Sequence, residues 1–340
     1  MCRHLCPIGN ATGHERNTAR ARAFAISMVE RGATDLSSVA ENVYECTLCG
    51  ACTNNCATGF DPKVFIQEAK TDIVLSGLAP DYVLALVENC IKSGNPYGKE
   101  IPEALTKLYS DEGDVLFLAG SDAAIKAPEC VWRALGLIRD AGVKAAFTSL
   151  QNTGFALWFL TGKTAETREA AKAFLAHASK YKKVVVYDPQ DLSFILHECR
   201  EWGLEYDTEF ISFNSYLLSL IDEGKITVKR GKRKYTLQDH AAYARELDDT
   251  ESGRALIAKV GQSHEMLLHG KEANLAGQLI MAEYMPEVMA KVACDRWINA
   301  INMECKTVVT ESPAEYVLLK ATEPDGYRVI TVEDMLIENM

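Results

Sequence analysis

Residues 182–196 read KKVVVYDPQDLSFIL and residues 306–319 read KTVVTESPAEYVLL, so one pattern recurs at an offset of 124 positions. Each copy has a lysine, a β-branched run, a proline (Pro189 or Pro313) and an amphipathic segment. A β-branched run predicts a strand, and a proline ahead of apolar residues at helical spacing predicts the start of a helix. The repeat therefore predicts two related α/β units.

The flanking sequence continues this alternation of strands and helices. DVLFLAG at residues 114–120 and VKAAFTS at 143–149 predict strands, whereas residues 128–141, 165–181 and 190–202 predict helices. Such alternation is typical of an open, mostly parallel sheet with helices on its faces. We therefore expect an α/β fold with ligands gathered at the carboxyl ends of the strands.

Four cysteines upstream of these units form one run, CTLCGACTNNC, with Cys46, Cys49, Cys52 and Cys56 at C-x2-C-x2-C-x3-C spacing. In this spacing three thiolates bind one iron-sulfur cube, and the fourth usually serves a second cluster. A structural zinc site or unligated thiols are the alternatives. Zinc is disfavoured because tetrahedral zinc sites usually take CxxC pairs from two separate loops.

The start of the chain supplies a partial second motif, Cys2-Arg3-His4-Leu5-Cys6-Pro7. If fourth ligands are exchanged in the usual way, Cys6 joins Cys46, Cys49 and Cys52 to bind one 4Fe-4S cluster. Cys2 and Cys56 then form half of a second site. That half-site could be empty, be completed by a partner chain, hold a cluster with unusual ligands, or form a disulfide.

Composition limits the other possibilities. The 340 residues, 48% of them hydrophobic, suffice for several domains with real cores, and a formal net charge of −11 at pH 7 argues against nucleic acid as a ligand. The basic stretch KRGKRKY at 229–235 is interpreted as an exposed hairpin turn around Gly231. Eleven cysteines and the lack of a long apolar segment predict a cytoplasmic protein with no direct membrane span.

These patterns divide the chain into three predicted domains. Residues 1–79 form a small all-helical, ferredoxin-like iron-sulfur domain with helices near 18–31 and 63–76, and a further helix spans 80–93. Residues 80–230 and 231–340 form the first and second α/β units.

Two N-terminal segments resemble a known family. CPIGNATGHERNTARARA at 6–23 and CTLCGACTNNCATG at 46–59 are similar to the iron-sulfur subunits of glycolate oxidase and heterodisulfide reductase, although Ala57 stands where proline is usual. The resemblance implies a two-cluster ferredoxin domain followed by a tandem cysteine-rich CCG domain. It extends over nearly the whole chain.

The cysteines of the CCG motifs are replaced in this chain. Ser121 takes one ligand position, and four short segments take the others: Asn152-Thr153-Gly154, Asp188-Pro189-Gln190-Asp191, Leu268-His269-Gly270 and Ser312-Pro313-Ala314-Glu315. We therefore expect degenerate CCG-like units without a non-cubane cluster. A weaker hypothesis is a metal or substrate pocket formed by Asp188, Asp191, Glu311, Glu315 and His269. The remaining cysteines are expected in the core: Cys90, Cys130, Cys199, Cys294 and Cys305.

The resemblance implies a non-catalytic electron-transfer subunit, with no catalytic residues of its own. Its expected partner is an FAD-containing oxidoreductase subunit of the 2-hydroxyacid-oxidising type. An electron-transferring flavoprotein or another iron-sulfur subunit is a further candidate. The alternatives are an enzyme that binds a small molecule in the CCG-derived cleft and a structural scaffold subunit. In the main hypothesis Thr47, Leu48, Thr53 and Asn54 of the cysteine loop should face the flavin or a relay cluster.

Overall fold

The N-terminal part of the chain is helical. The computed structural model describes the backbone of residues 2–340 and the side chains of residues 4–340. The helices are α1 (Cys2–Leu5), α2 (Pro7–Thr12), α3 (Ala19–Glu30), α4 (Leu36–Tyr44), α5 (Ala51–Asn54), α6 (Pro62–Leu75), α7 (Asp81–Ser93) and α8 (Glu103–Thr106), with a 3-10 turn at Glu15–Asn17. Helix α6 begins where the Asp61 carboxylate accepts the backbone N–H groups of Lys63 and Val64.

The first α/β unit contains a four-stranded parallel sheet. Its strands are β1 (Val115–Leu118), β2 (Ala145–Ala146), β3 (Lys183–Val186) and β4 (Glu209–Ser212), in the order β2-β1-β3-β4. In register, Val115 pairs with both Ala145 and Lys183. The helices are α9 (Ser121–Lys126), α10 (Pro128–Asp140), α11 (Phe155–Thr161), α12 (Ala165–Ala178), α13 (Pro189–Leu196), α14 (Glu198–Glu201) and α15 (Phe213–Asp222).

The second unit repeats this arrangement. Its strands are β5 (Lys234–Gln238), β6 (Gln262–Ser263), β7 (Thr307–Thr310) and β8 (Arg328–Thr331), in the parallel order β6-β5-β7-β8. Its helices are α16 (Ser252–Val260), α17 (Leu279–Ala282), α18 (Pro286–Asn302), α19 (Pro313–Ala321) and α20 (Val332–Ile337), with a π-helical turn at Ala242–Glu246 and a 3-10 turn at Gly270–Glu272.

The sequence repeat corresponds to equivalent elements of the two units. The repeated β-branched runs are β3 and β7, each followed by a helix that begins at the repeated proline, Pro189 or Pro313. Strand orders also match, with the repeated strand at an inner position of each sheet. The expected fold class, a helical N-terminal part followed by two related α/β units with parallel sheets, is confirmed.

Two local predictions are wrong. No strand occurs at residues 225–231, and β5 pairs in parallel with β6 and β7, so the basic stretch is not part of a hairpin. The helix predicted over 190–202 is interrupted at His197, whose backbone dihedrals are φ −108° and ψ −68°, and it forms α13 and α14 instead. Within residues 2–340, no helix has the length and apolar character needed to cross a membrane.

Candidate metal centre

Four cysteines surround one cavity in the helical part. Cys6, Cys46, Cys49 and Cys52 line a space of about 420 Å3 whose walls are otherwise mostly apolar and come from α2, α3, α5 and α6. Among the described residues, no three His, Cys, Asp or Glu side chains are placed to hold a single metal ion. Thiols spread around a cavity fit a cluster with iron at several corners better than a mononuclear zinc site.

The loop backbone helps to form the cavity. Leu48 has a positive φ of 55°, uncommon for a leucine, and its N–H points to the Cys46 sulfur at 3.5 Å. Gly50, with φ 69°, ends the tight turn, and a Cβ placed there would lie 3.1 Å from a carboxylate oxygen of Glu246. N–H groups directed at thiolates stabilise their negative charge and raise the potential of a cluster.

The chemistry of the cysteines fits an iron-sulfur cluster. Burial raises the pKa of Cys6 and of Cys52, and neighbouring cysteine thiols raise both pKa values further. A set of thiols held together in this way becomes thiolate only beside strong positive charge, such as bound iron ions. Cys6, Cys46, Cys49 and Cys52 would hold a cluster, which when bound supplies reversible one-electron transfer.

Arg22 is a buried cation in the wall of this cavity. Its side chain is 1% exposed, and it donates to the carbonyls of Asn42 at 2.9 Å and Glu45 at 2.7 Å. The third contact is to the Cys6 sulfur, at 3.8 Å from Nη1. The exposed Arg16 and Arg20 instead pair with Glu45 and Glu15. Of these three arginines, Arg22 is therefore the one that contacts a predicted ligand.

Cys56 lies outside the cluster cavity. It lines an apolar groove of about 860 Å3 on the surface with Phe60, and its sulfur is 3.2 Å from the Thr58 hydroxyl. That hydrogen bond lowers the pKa of the half-buried Cys56 thiol. Cys52 lines both the groove and the cluster cavity, as do Ala19 and Pro62, so these three residues lie between the two spaces. The predicted half-site also needs Cys2, whose side chain lies outside the described residues.

The second α/β unit holds the cysteine loop in place. The Arg245 guanidinium donates to the carbonyl of Cys49 at 2.8 Å and also to the carbonyls of Lys271 and Ala273. Lys63 Nζ lies 2.5 Å from a carboxylate oxygen of Glu246. The loop and the start of α6 are therefore fixed by residues nearly two hundred positions further along the chain.

The expectation that the loop faces a partner is wrong for two of its four residues. Thr47 and Leu48 are buried, whereas Asn54 is exposed and donates to the Glu272 carboxylate at 3.0 Å. The reason is that the α/β units cover this face of the loop. On the opposite side of the loop, Cys52 lines a surface groove.

A second cavity lies between the cysteine loop and both α/β units. Thr47, Leu48 and Cys49 form one wall of this cavity, and Gln190, His240 and Gln278 form the others. Burial lowers the pKa of His240 to about 3, and its Nδ1 accepts the Ala242 N–H, so the neutral ring carries its proton on Nε2. Trp158, 7% exposed, also lines this cavity and has an indole N–H without a partner.

The residues that replace the CCG cysteines mostly form internal hydrogen bonds. The Thr153 hydroxyl donates to Asp191, and Asn214 donates to Glu311 at 2.7 Å. Glu315 accepts the Ala276 N–H at 2.8 Å. Burial raises the pKa of Asp191 and Glu311 well above the usual range and that of Glu315 to about 8. These carboxyl groups are parts of the core.

For the described residues, the hypothesis of a metal site at these five residues is wrong, because no three His, Cys, Asp or Glu side chains are placed to hold a metal ion. A substrate pocket there stays a prediction. Asp188 and Asp191 belong to the first unit, Glu311 and Glu315 belong to the second, and His269 hydrogen-bonds through Nδ1 to the Met266 carbonyl at 3.1 Å. Ser121 and Asn152 do share an open cavity, of about 1180 Å3, beside the first sheet.

The other cysteines divide by exposure. Cys90, Cys130, Cys199 and Cys305 are buried, as predicted, whereas Cys294 is exposed on α18, so its predicted core position is wrong. Helix α18 contains a single cysteine, and one cysteine does not indicate by itself which face of an amphipathic helix it lies on.

Two functional residues were missed from the sequence. Arg245 follows no motif, and its role comes from contacts with residues nearly two hundred positions away. Lys70 lies in an amphipathic helix where a lysine is expected on the solvated face, yet its side chain is 0% exposed and its Nζ donates to the Phe159 carbonyl at 2.8 Å. No local signal identifies either residue.

Comparison with known proteins bears on the N-terminal part and on the fold. Residues 1–60 match the family model described as a 4Fe-4S dicluster domain. The comparison with curated proteins gives no match. A solved structure described as a hypothetical protein from Helicobacter pylori is similar, with a TM-score of 0.54 and 11% identity, over 95% of this chain and 68% of that chain. At this identity the likeness shows a common fold alone.

The family match covers all six N-terminal cysteines, including the four that line the cavity. The chain is therefore an iron-sulfur protein whose N-terminal part is a 4Fe-4S domain with a role in electron transfer.

Proposed function

We propose that this chain is the electron-transfer subunit of a flavin-dependent oxidoreductase complex that oxidises a 2-hydroxyacid. It would pass single electrons between the flavin of an FAD-containing subunit and another acceptor, such as an electron-transferring flavoprotein or a second iron-sulfur subunit. The flavin and the substrate class come from the resemblance of residues 6–23 and 46–59 to the glycolate oxidase and heterodisulfide reductase subunits.

The observation that carries the proposal is the position of Cys52. This predicted ligand lines the cluster cavity on one side and the surface groove with Phe60 on the other. A protein docked in the groove would therefore be separated from the cluster by the layer that Cys52 forms with Ala19 and Pro62. The α/β units cover the opposite face of the loop. The groove is therefore the side from which another protein would exchange electrons with the cluster.

The groove also has the surface character of a protein contact. Phe60 is 47% exposed within it, and Phe24 and Val64 are exposed on the neighbouring helices. Apolar side chains clustered on a soluble surface are typical of interaction sites. We propose the FAD-containing subunit as the occupant, because electron transfer requires donor and cluster to lie close together.

The direct test adds the isolated flavoprotein and its 2-hydroxyacid to the full-length, cluster-loaded chain under anaerobic conditions. We expect the electron paramagnetic resonance signal of the reduced cluster to appear only when both are present. A stable complex in which the flavin is reduced and the cluster never is would contradict the proposal.

A matched pair of surface variants locates the contact. Phe60→Glu should weaken the complex at least tenfold, because it places a charge in an apolar contact, and should leave the iron content unchanged. The control is Leu75→Glu, at the other end of α6, where the side chain is 72% exposed and about 20 Å away along the helix. Equal affinity of both variants for the flavoprotein, measured by calorimetry, would place the contact elsewhere.

The cavity at His240 favours a second candidate function, binding of a small molecule between the units. The His240 Nε2–H and the unpartnered Trp158 N–H are donors, which suit an organic molecule with an acceptor oxygen. Soaking crystals in a mixture of small aliphatic carbonyl compounds tests it. Electron density for a ligand at His240 and Gln278 would favour this function, and an unchanged cavity at high ligand concentration would reject it.

A further inference from the structure

Among the side chains of residues 4–340, Lys70 is a buried lysine with no acidic side chain as partner. Its Nζ donates to the Phe159 carbonyl and lies 4.1 Å from the centre of the Phe159 ring and 5.5 Å from that of Tyr44. Among the described residues, the Cys46 thiol is the group that favours the charged form of Lys70 and so raises its pKa. A buried cation in such a place strongly destabilises a fold unless a negative charge lies near it.

Helix α6 places Lys70 directly behind the cluster cavity. Lys63 and Ile66 of this helix line the cavity, and Lys70 follows Ile66 by four residues. Residues four apart lie on the same face of a helix, one turn from each other. The ammonium group is therefore on the cavity side of α6, in a layer closed by Phe159 and Tyr44.

Arg22 provides a second buried cation on another side of the same cavity. Its carbonyl partners, Asn42 and Glu45, accept through backbone oxygens and carry no charge there. The pKa of Lys70 reflects both neighbours: burial lowers it to about 7, the Cys46 thiol acts to raise it, and the Arg22 charge acts to lower it. The protein thus brings two positive charges to one thiol set and buries both.

We propose that Lys70, together with Arg22, is the buried counter-charge of the iron-sulfur cluster and raises its reduction potential. A cube held by four thiolates carries net negative charge, which increases when an electron is added. A fixed cation nearby stabilises the reduced form more than the oxidised form, and it acts strongly because burial limits screening by water. The proposal rests on cluster binding by this chain, and it does not depend on the flavin partner.

The test is the variant Lys70→Met in the full-length, cluster-loaded chain, with the potential measured by a mediated redox titration. We expect the ratio of reduced to oxidised cluster at a fixed potential to fall about tenfold, a shift of about 59 mV to lower potential for one electron. Lys70→Arg, which keeps the charge, should restore most of the wild-type potential.

Gln67→Met is the matched control. Gln67 lies one turn before Lys70 on α6, is 7% exposed, and donates to the Trp158 carbonyl, just as Lys70 donates to the Phe159 carbonyl of the same helix α11. The Gln67→Met substitution removes a buried hydrogen bond without removing a charge. We expect its potential to equal that of the wild type. A Lys70→Met protein with full iron content and an unchanged potential overturns the proposal, as does an equal shift in Gln67→Met.

A second measurement does not need a stable cluster in the variant. In cluster-free protein at pH 6, the charge of Lys70 is buried without the anionic cluster beside it. Lys70→Met removes this charge and should therefore unfold at a higher urea concentration than the wild type. A lower midpoint would mean that Lys70 stabilises the fold by itself, which contradicts a role as counter-charge. Both readouts use this chain alone, so failure of the flavin proposal would leave them unaffected.

Discussion

The spaces that they line separate the five described N-terminal cysteines into two groups. Cys6 is surrounded by protein, with its sulfur 3.1 Å from the Asn17 carbonyl and 3.8 Å from Arg22, and it shares its cavity with the thiols of the main run. Cys56 ends that run but faces a groove open to water. Cysteines only four residues apart, Cys52 and Cys56, thus have different surroundings, which supports the predicted exchange of the fourth ligand.

A pair of alanine variants tests this ligand assignment. Cys6→Ala should lose most of its iron and its visible absorbance, because a cube that loses one corner ligand becomes labile. Cys56→Ala should keep both. The measurement is iron content and absorbance of anaerobically purified protein. A Cys56→Ala protein without a cluster, beside a normal Cys6→Ala protein, would mean that the loop ligates its own cube.

Single residues were predictable from sequence where spacing carries the information. The C-x2-C-x2-C spacing predicts cluster ligands, and the structure brings Cys46, Cys49 and Cys52 around one cavity with Cys6. The burial of Lys70 was not predictable, because the surroundings of a helix face depend on which elements pack against it. Here α11 covers that face, some ninety positions along the chain.

At the scale of elements, a buried hydrogen bond joins the two α/β units. Tyr187, at the end of β3, donates to a carboxyl oxygen of Glu333 on α20 at 2.6 Å. Glu333 is fully buried, and its second oxygen has no partner. Burial raises the pKa of Glu333 from 4.5 to about 7. Burial therefore favours the protonated form of Glu333, whereas the hydrogen bond from Tyr187 acts in the opposite direction and favours the carboxylate.

The pH dependence of stability follows from this raised pKa. Between about pH 4.5 and 7 the folded chain binds the Glu333 proton more tightly than the unfolded chain does. The stabilisation of the fold by this proton is therefore complete below pH 4.5 and is lost as the pH rises through 7. Glu333→Gln cannot ionise. Relative to wild type, the free energy of unfolding of this variant should increase by about 2 kcal/mol between pH 5 and pH 8, measured by urea unfolding.

An exposed glutamate provides the control for this experiment. Glu223, on the surface after α15, pairs with Lys225, and Glu223→Gln should follow the wild-type pH profile. If Glu333→Gln shows no gain between the two pH values, Glu333 must already be ionised in the fold.

Element boundaries were predictable where apolar and turn residues alternate clearly. The predicted helices at 18–31, 63–76 and 128–141 correspond to α3, α6 and α10 to within one residue at each end. The hairpin at Gly231 failed because strand partners are chosen by the whole sheet: β5 pairs with β6 and β7, which come later in the chain. Local sequence indicates a strand but not its neighbour.

For the whole molecule, the number of clusters is the main quantity left to measure. The matched family is described as a dicluster domain, yet residues 1–60 contain only six cysteines. With four of them around one cavity, we expect about four iron and four sulfide per isolated chain. About eight of each would show a second cluster at Cys2 and Cys56 with other ligands. Zinc without sulfide would contradict the cluster assignment.

The division into residues 1–79, 80–230 and 231–340 remains a prediction about folding units. The contacts of the cysteine loop bear on it, because the loop is joined to the second unit through Arg245, Glu246 and Glu272. Sequence could not predict this joining, since it depends on how the two α/β units lie around the helical part.

The contact between Arg245 and the Cys49 carbonyl can form only late in the synthesis of the chain. The guanidinium that fixes the Cys49 carbonyl is synthesised 196 residues after that cysteine. At about 5–20 residues per second, a ribosome needs roughly 10–40 s to cover this distance. During that interval the cysteines have emerged while the part that later covers one side of their loop does not yet exist. Nascent chains therefore offer the thiols to incoming iron and sulfide before the finished fold restricts access to them.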